Sequence, residues 1–176
     1  MSLRLRWLAY GGAALLAVAA GVGTQLWRQS GGEAPAAAVA ALRATRLPDL
    51  EGTPRALDDW RGKVVIANYW ATWCAPCREE MPIFVKMQAK YGERGLIFVG
   101  IAIDQRAKVA AFAKELGINY PILIGGLADI EATKGIGNTV SALPFTLIFD
   151  REGRLVKRHL GGLKEPELEA IVQQLL

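Results

Sequence analysis

Four short runs of apolar residues divide the middle of the chain, and each run is continuous rather than alternating. Continuous hydrophobicity over a short run is typical of strands that are covered on both faces, as in a central parallel or mixed sheet. The pattern therefore predicts four core strands. They lie at residues 64–70, 96–103, 121–124 and 145–149.

Two helical patterns lie among and after these runs. The first ends at Gly117, a residue that suits the left-handed position after a helix, and the second follows Pro166, a residue favoured in a first helical turn. Both predict amphipathic helices packed on a sheet. Their apolar positions are Val109, Phe112, Ala113 and Leu116 in the first, and Leu168, Ile171, Val172 and Leu175 in the second.

Turn residues predict two antiparallel hairpins. Residues 150–153 separate the last core run from residues 155–159, a spacing that suits a hairpin with Gly153 at a left-handed position. A shorter hairpin is predicted over residues 47–57, with its turn at residues 51–54. The sheet is therefore expected to be mixed. Strands and helices that alternate around such a sheet predict an α/β sandwich.

The first 44 residues follow a different pattern. Arg4 and Arg6 precede an uncharged run over residues 7–27, which is long enough to span a bilayer, and residues 17–19 resemble a cleavage site. We expect residues 1–28 to be a signal peptide or a retained signal anchor, with the rest of the chain outside the cytoplasm. A buried helix of the globular domain is the alternative. Residues 29–44, rich in small residues, predict a flexible linker before a domain at 45–176.

Composition and charge support a single domain without a nucleic-acid partner. The chain has 176 residues, of which 52% are hydrophobic, enough for one sizeable core. Its formal net charge is +4, and three arginines and one glutamate in the first 42 residues contribute half of it. The other charges are interspersed, which is typical of a solvated surface rather than a polyanion-binding stripe.

The chain has two cysteines, Cys74 and Cys77, and they directly follow the first core strand. Residues 75–91 have helical character, so the pair is expected to open a helix. Free N–H groups and the helix dipole at that position stabilise a thiolate and lower the pKa of the first cysteine. We therefore predict that Cys74 is the nucleophile. Cys77, inside the first turn, could then resolve a mixed disulfide formed at Cys74.

A metal site and a pair of inert core thiols are the alternatives for these cysteines. Tetrahedral zinc would need two more Cys or His ligands, and the chain has one histidine, His159. Cu(I) fits better, because thiolates are soft ligands and His159 could be the third donor. Otherwise His159 is expected to be a surface residue on an edge strand.

Residues 64–82, with the sequence VVIANYWATWCAPCREEMP, resemble the active-site segment of the TlpA/ResA branch of the thioredoxin superfamily. Members of this branch are membrane-tethered, exported reductases. The resemblance covers about residues 45–176 and implies the thioredoxin fold. A CxxC motif alone is weak support, but its combination with Glu80, Pro82 and the run at residues 143–146 is specific.

The resemblance implies roles for residues around the dithiol. It implies that the redox-active group is a Cys74–Cys77 disulfide, and we expect no further cofactor. The bond before Pro144 is expected to be cis and to face the dithiol, leaving the Leu143 backbone free to pair with an extended client segment. Trp73 and Pro76 complete the expected client-binding set. We expect Trp60 and Trp70 to pack in the core, and Pro82 either to interrupt the active-site helix or to end it.

Glu80 is the candidate for proton transfer. It lies three residues after Cys77 and so on the same face of a helix. Thioredoxins proper carry a buried Asp at the position of Asn68, and an asparagine cannot exchange a proton. A carboxyl group partly desolvated near the thiols would have a raised pKa and could move the proton of Cys77. The alternative is that Glu80, like Glu79, only complements the helix dipole.

These expectations define a cycle in which Cys74 attacks a client disulfide and Cys77 resolves the mixed disulfide. A membrane electron donor would then reduce the enzyme, because the chain has no nucleotide-binding glycine motif. The implied clients are apocytochrome c cysteines or copper-site cysteines of oxidase assembly proteins, and the implied place is the inner membrane, facing the periplasm. The alternatives are a disulfide-donating oxidant, a thiol peroxidase, and a copper chaperone or binding module.

Overall fold

A mixed sheet of five strands organises residues 35–176, the part of the chain that the computed structural model describes. The described residues contain seven strands, of which the last five form this sheet. In chain order they are β1 (Leu47–Pro48), β2 (Pro54–Arg55), β3 (Val64–Trp70), β4 (Leu96–Ala102), β5 (Ile122–Ile124), β6 (Phe145–Phe149) and β7 (Leu155–Leu160). The sheet order is β5-β4-β3-β6-β7; β4 is parallel to β3 and β5, and β6 is antiparallel to β3 and β7. β1 and β2 form a separate antiparallel ribbon, joined to β5 by a bridge between Asp49 and Leu123.

Helices cover both faces of this sheet. In the described range they are α1 (Ala36–Ala44), α2 (Ala75–Tyr91), α3 (Arg106–Leu116), α4 (Leu127–Ala132) and α5 (Glu165–Leu175), with short 3₁₀ turns at Leu57–Trp60, Gly92–Arg94 and Thr133–Ile136. Successive residues of a strand point to opposite faces. Ile66 and Trp70 of β3 pack toward α2, α3 and α5, whereas Val65 and Tyr69 pack toward α1 and α4. All of β3 is buried, so it is the centre of the fold.

The structure confirms the predicted α/β sandwich. All four core strands are present, with ends within one residue of those predicted, and so are both amphipathic helices and both hairpins. In the described range no helix combines the length and apolarity that a bilayer crossing requires. The predicted signal peptide or anchor at residues 1–28 lies outside that range.

The prediction of a flexible linker over residues 29–44 is wrong for its last part. Residues 36–44 form α1, and the side chains of Val39 and Leu42 are buried in the core. Alanine, which dominates this segment, has the highest helix propensity of all residues, and two apolar side chains one turn apart pack this short helix against the sheet. The folded domain therefore begins near Ala36 rather than at residue 45.

Arg43 anchors the end of α1 to two other parts of the domain. Its buried guanidinium donates a hydrogen bond of 2.6 Å to the carbonyl oxygen of Gly153 and forms an ion pair with Asp58. The same group lies 5.7 Å from the ring centre of Phe149. Hydrogen bonds from a charged donor are stronger than neutral ones, and a buried guanidinium also gains from an aromatic face. Arg43 should therefore contribute measurably to stability.

We expect Arg43→Ala to lower the free energy of unfolding by about 2 kcal/mol, because it removes these charge-assisted bonds. Urea denaturation would measure the change. Arg46→Ala is the matched control, since that side chain is 62% exposed and its ion pair with Asp59 spans 3.9 Å; it should lose less than about 0.5 kcal/mol. Equal losses in the two variants would contradict an anchoring role for Arg43.

Candidate active site

The two cysteines lie where β3 leads into α2. Cys74 is the N-cap residue of this 17-residue helix, and Cys77 lies in its first turn. Their sulfur atoms are joined in a disulfide, so the structure shows the oxidised form, and the Cα atoms of the two cysteines are 5.3 Å apart. Cys74 is 6% exposed and Cys77 is fully buried. Cys74 is thus the more accessible of the two residues.

Glu80 is buried one turn further along α2, with 2% of its surface exposed. Its Oε1 accepts a hydrogen bond of 2.8 Å from Asn68 Nδ2, and its Oε2 accepts one of 2.8 Å from the backbone N–H of Leu163. Burial raises the pKa of Glu80 to about 7, although the N–H groups of Leu163 and Asn68 act in the opposite direction. A residue that only complemented a helix dipole would be exposed, as the neighbouring Glu79 is. The buried carboxyl group favours the proton-transfer hypothesis.

The role of Asn68 in this arrangement was not predicted. Its amide also donates a hydrogen bond of 3.0 Å to Thr146 Oγ1, and the two residues are directly paired between β3 and β6. The sequence did contain a signal for it. A polar side chain inside an otherwise apolar strand must find a partner, and Glu80 was the nearby candidate.

Leu143 is the expected client-binding residue that packs beside the cysteines from another part of the chain, and Trp73 and Pro76 adjoin Cys74 and Cys77 in the sequence. The Leu143–Pro144 peptide bond is cis, as the resemblance implies. Leu143 is half-buried and packs against the apolar cluster that contains both cysteines. Trp73 is 69% exposed and Pro76 is also exposed. These side chains could contact a partner that approaches Cys74.

The predictions for Trp60, Trp70 and Pro82 can also be compared with the structure. Trp70 is fully buried in the same cluster as the cysteines, and Trp60 is partly buried at the edge of another cluster, so both are packing residues. Pro82 lies inside α2, which continues to Tyr91, so the helix does not end there. Because proline has no N–H, the carbonyl of Arg78 lacks the usual helical donor at this point.

A second polar anchor beside the dithiol was missed. Asp104, which follows β4, accepts hydrogen bonds from the backbone N–H of Thr72 (3.3 Å), from the Thr72 hydroxyl, and from the N–H of Gln105 (2.7 Å). Partial burial favours the neutral carboxyl group, but these hydrogen bonds hold the pKa of Asp104 below its ordinary value. The loop that carries Trp73 is thereby fixed to the end of β4. No spacing in the sequence links Thr72 to Asp104.

The structure does not assemble the metal site considered above. Across residues 35–176, no three His, Cys, Asp or Glu side chains form a group that could hold a metal ion. His159 lies on the edge strand β7, as expected, and its Nδ1 is 3.7 Å from Oε1 of Glu167. The proposed copper ligands Cys74, Cys77 and His159 therefore do not come together.

Comparison with known proteins agrees with this geometry. The Redoxin family model matches residues 29–175. The thiol-disulfide oxidoreductase ResA of Bacillus cereus (strain ZK / E33L) is 33% identical over 129 residues, which are 72% of each chain. Among solved structures, a thioredoxin family thiol:disulfide interchange protein from Chlorobium tepidum TLS superposes with a TM-score of 0.65 at 31% identity, over 74% of this chain and 95% of that one.

A further solved structure is a secreted thiol-disulfide isomerase from Corynebacterium glutamicum, with a TM-score of 0.65 at 26% identity, over 74% of this chain and 81% of that one. The family match spans most of the chain, and the similar proteins share its fold and carry thiol-disulfide activities in their names. The chain therefore belongs to the Redoxin family, as a TlpA/ResA-like member of the thioredoxin superfamily, and is a thiol-disulfide oxidoreductase.

Proposed function

We propose that this enzyme reduces disulfides of client proteins outside the cytoplasm. In this proposal Cys74 is the nucleophile, Cys77 is the resolving thiol and Glu80 accepts the proton of Cys77. The observation that carries the proposal is the buried carboxyl group of Glu80, on the same helix face as Cys77 and with a pKa near 7. A group with this pKa can take up and release a proton near neutral pH.

The cycle begins with the reduced enzyme. The Cys74 thiolate attacks a client disulfide; a bond forms between Cys74 and one client sulfur, and the other client sulfur leaves as a thiolate. Cys77 passes its proton to the Glu80 carboxylate, and the resulting thiolate attacks the sulfur of Cys74. The bond between Cys74 and the client sulfur breaks, that client sulfur leaves as a thiolate, and the Cys74–Cys77 disulfide forms. Two electrons have then passed from the enzyme to the client.

Client binding is proposed at the cis-proline side of the site. An extended client segment would pair with the backbone of Leu143, in the way that a strand adds to an exposed sheet edge. The exposed indole of Trp73 would cover the segment from the other side of Cys74. Aromatic side chains supply a large apolar contact at a binding surface, which supports this role.

The location, the electron donor and the clients are part of the same proposal. The apolar run over residues 7–27 favours export, and the similar protein from C. glutamicum is secreted. Outside the cytoplasm thiols tend to be oxidised, so a reductase there needs a membrane electron donor to restore its dithiol. Apocytochrome c cysteines or copper-site cysteines of oxidase assembly proteins are the proposed clients.

The reduction potential of the Cys74–Cys77 pair tests the direction of this reaction. We expect a value near about −270 mV, typical of reductases, whereas strong oxidants lie near about −120 mV. Equilibration of the protein in glutathione or dithiothreitol buffers, with thiols counted by mass spectrometry, gives the value. A potential near that of the strong oxidants would replace the reductase proposal with a disulfide-donating enzyme.

A further inference from the structure

The residues that follow β7 bond two separate parts of the site. These residues, Gly161, Gly162 and Leu163, are called the diglycine segment below. The N–H of Gly161 donates a hydrogen bond of 2.9 Å to the carbonyl oxygen of Pro144. The N–H of Leu163 donates one of 2.8 Å to Glu80 Oε2. The diglycine segment therefore bonds both the client-binding loop and the buried acid.

Between these two bonds the segment borders open space at Gly161. Gly161 has a φ of +97°, which favours glycine, and a Cβ at this position would have no neighbour within 4 Å. A Cβ on Gly162 would lie 3.7 Å from the carbonyl oxygen of Pro76 and 4.0 Å from Glu80 Oε2. The segment thus passes beside the first turn of α2 and the Glu80 carboxyl group. The two bonded N–H groups are only two residues apart along the chain, so a displacement at one bond shifts the other.

Several groups face Glu80, and they differ in how freely they can move. Asn68 on β3 donates a hydrogen bond to Glu80. Tyr120 lies just before β5, and burial and then the Glu80 charge raise the pKa of the Tyr120 hydroxyl. The dithiol lies on the helix of Glu80 itself. Thr146 is also two residues from Pro144, but it lies within β6, paired with Asn68 on one side and His159 on the other. Sheet pairing holds Thr146 on both sides, whereas the diglycine segment follows the end of β7 and lies outside the sheet.

We propose that the diglycine segment couples client docking to proton transfer, an inference that rests on the proposed function. A client strand that pairs with Leu143 displaces the Pro144 carbonyl and with it Gly161. The Leu163 N–H then moves away from Glu80 and stabilises its carboxylate less. Glu80 becomes a stronger base at the stage when Cys77 must lose its proton. Gly161 and Leu163 are positioning residues, since they act through Pro144 and Glu80.

A trapped mixed disulfide tests the coupling. The full chain with Cys77→Ser stops after the first attack, so Cys74 can carry either a cysteine-containing extended peptide or 2-mercaptoethanol, which has no backbone to pair with Leu143. The Glu80 carboxyl group is titrated by ¹³C NMR, with its signal identified by its loss in Glu80→Gln. We expect its midpoint to be higher by about half a pH unit or more in the peptide adduct. An equal or lower midpoint in that adduct would overturn the proposal.

A backbone substitution tests the route. Replacing Leu163 by the corresponding α-hydroxy acid exchanges its N–H for an oxygen atom and leaves the side chain unchanged. We expect the Glu80 midpoint to rise in both adducts and the difference between them to vanish. The control is the same exchange at Gly126, whose N–H donates to the carboxylate of Asp129 at 2.7 Å in an exposed loop. A difference that survives the exchange at Leu163 would overturn the assigned route.

Failure of the proposed function gives a different result. With Cys77 present, Glu80→Gln could resolve the mixed disulfide at the wild-type rate, which would remove Glu80 from the reaction. The titration of Glu80 in the two adducts measures the coupling itself and does not depend on that rate. The two hypotheses are therefore tested separately.

Discussion

Replacing Cys74 with serine should reduce the rate of dithiothreitol-driven insulin reduction to the uncatalysed level, a loss of about three orders of magnitude or more. Cys74 is more exposed than Cys77, and we propose that its N-cap position on α2 stabilises its thiolate in the reduced enzyme. A serine hydroxyl at the same place remains protonated and does not attack a disulfide. Insulin turbidity with the wild type and the variant measures the effect. Unchanged activity in Cys74→Ser would contradict the dithiol mechanism.

The Cys77→Ser variant separates the two thiols. It should also lose turnover, but it should still react once with a client and retain it, because the mixed disulfide at Cys74 cannot be resolved. Intact mass after incubation with a disulfide substrate should show an adduct on Cys77→Ser and none on Cys74→Ser. The opposite pattern would show that the fully buried thiol attacks first, contrary to the burial of the two cysteines.

The central strands were predictable because their burial is complete. Val64–Trp70 and Phe145–Phe149 are buried along their whole length, so the apolar runs mark both ends of each strand. The active-site helix was predicted with the same accuracy, since it begins directly after a strand and a dithiol. In contrast, α4 has six residues, too few for a helical repeat to appear in the sequence. α1 was missed because its small residues are shared by linkers and helices.

The chemistry of the site was predictable only in part. Glu80 could be identified because its position relative to Cys77 follows from helix geometry alone. Its hydrogen bond from Leu163 could not, because a backbone N–H has no sequence signature and this one lies 83 residues away. Pro144 and Gly161 illustrate the same limit, since their contact is between backbone atoms. The parts of the site that tune the acid therefore required the structure.

Glu80→Gln should slow resolution of the mixed disulfide by about 100-fold near pH 7, because the amide cannot accept the proton of Cys77. The reduced enzyme is mixed with a client disulfide in a stopped-flow instrument, and the measured rate is that at which the client thiol bound to Cys74 is released. Glu79→Gln is the matched control, since Glu79 is the adjacent residue but is exposed. It should react at the wild-type rate. A similar loss in both variants would indicate a change in helix electrostatics rather than in proton transfer.

The same substitution should change how stability depends on pH. Burial raises the pKa of Glu80 from an ordinary value of 4.5 to about 7. Between these values the folded oxidised protein binds more protons than the unfolded chain, so its free energy of unfolding falls as pH rises. Across that window Glu80 should remove about 3 kcal/mol. Urea unfolding at several pH values should show this loss in wild type and in Glu79→Gln, but not in Glu80→Gln. The glutamine amide also faces the N–H donors of Asn68 and Leu163, so the absolute stability of Glu80→Gln can change for that reason alone. The test is therefore the slope of the free energy of unfolding against pH. Parallel slopes in all three proteins would refute a raised pKa of Glu80.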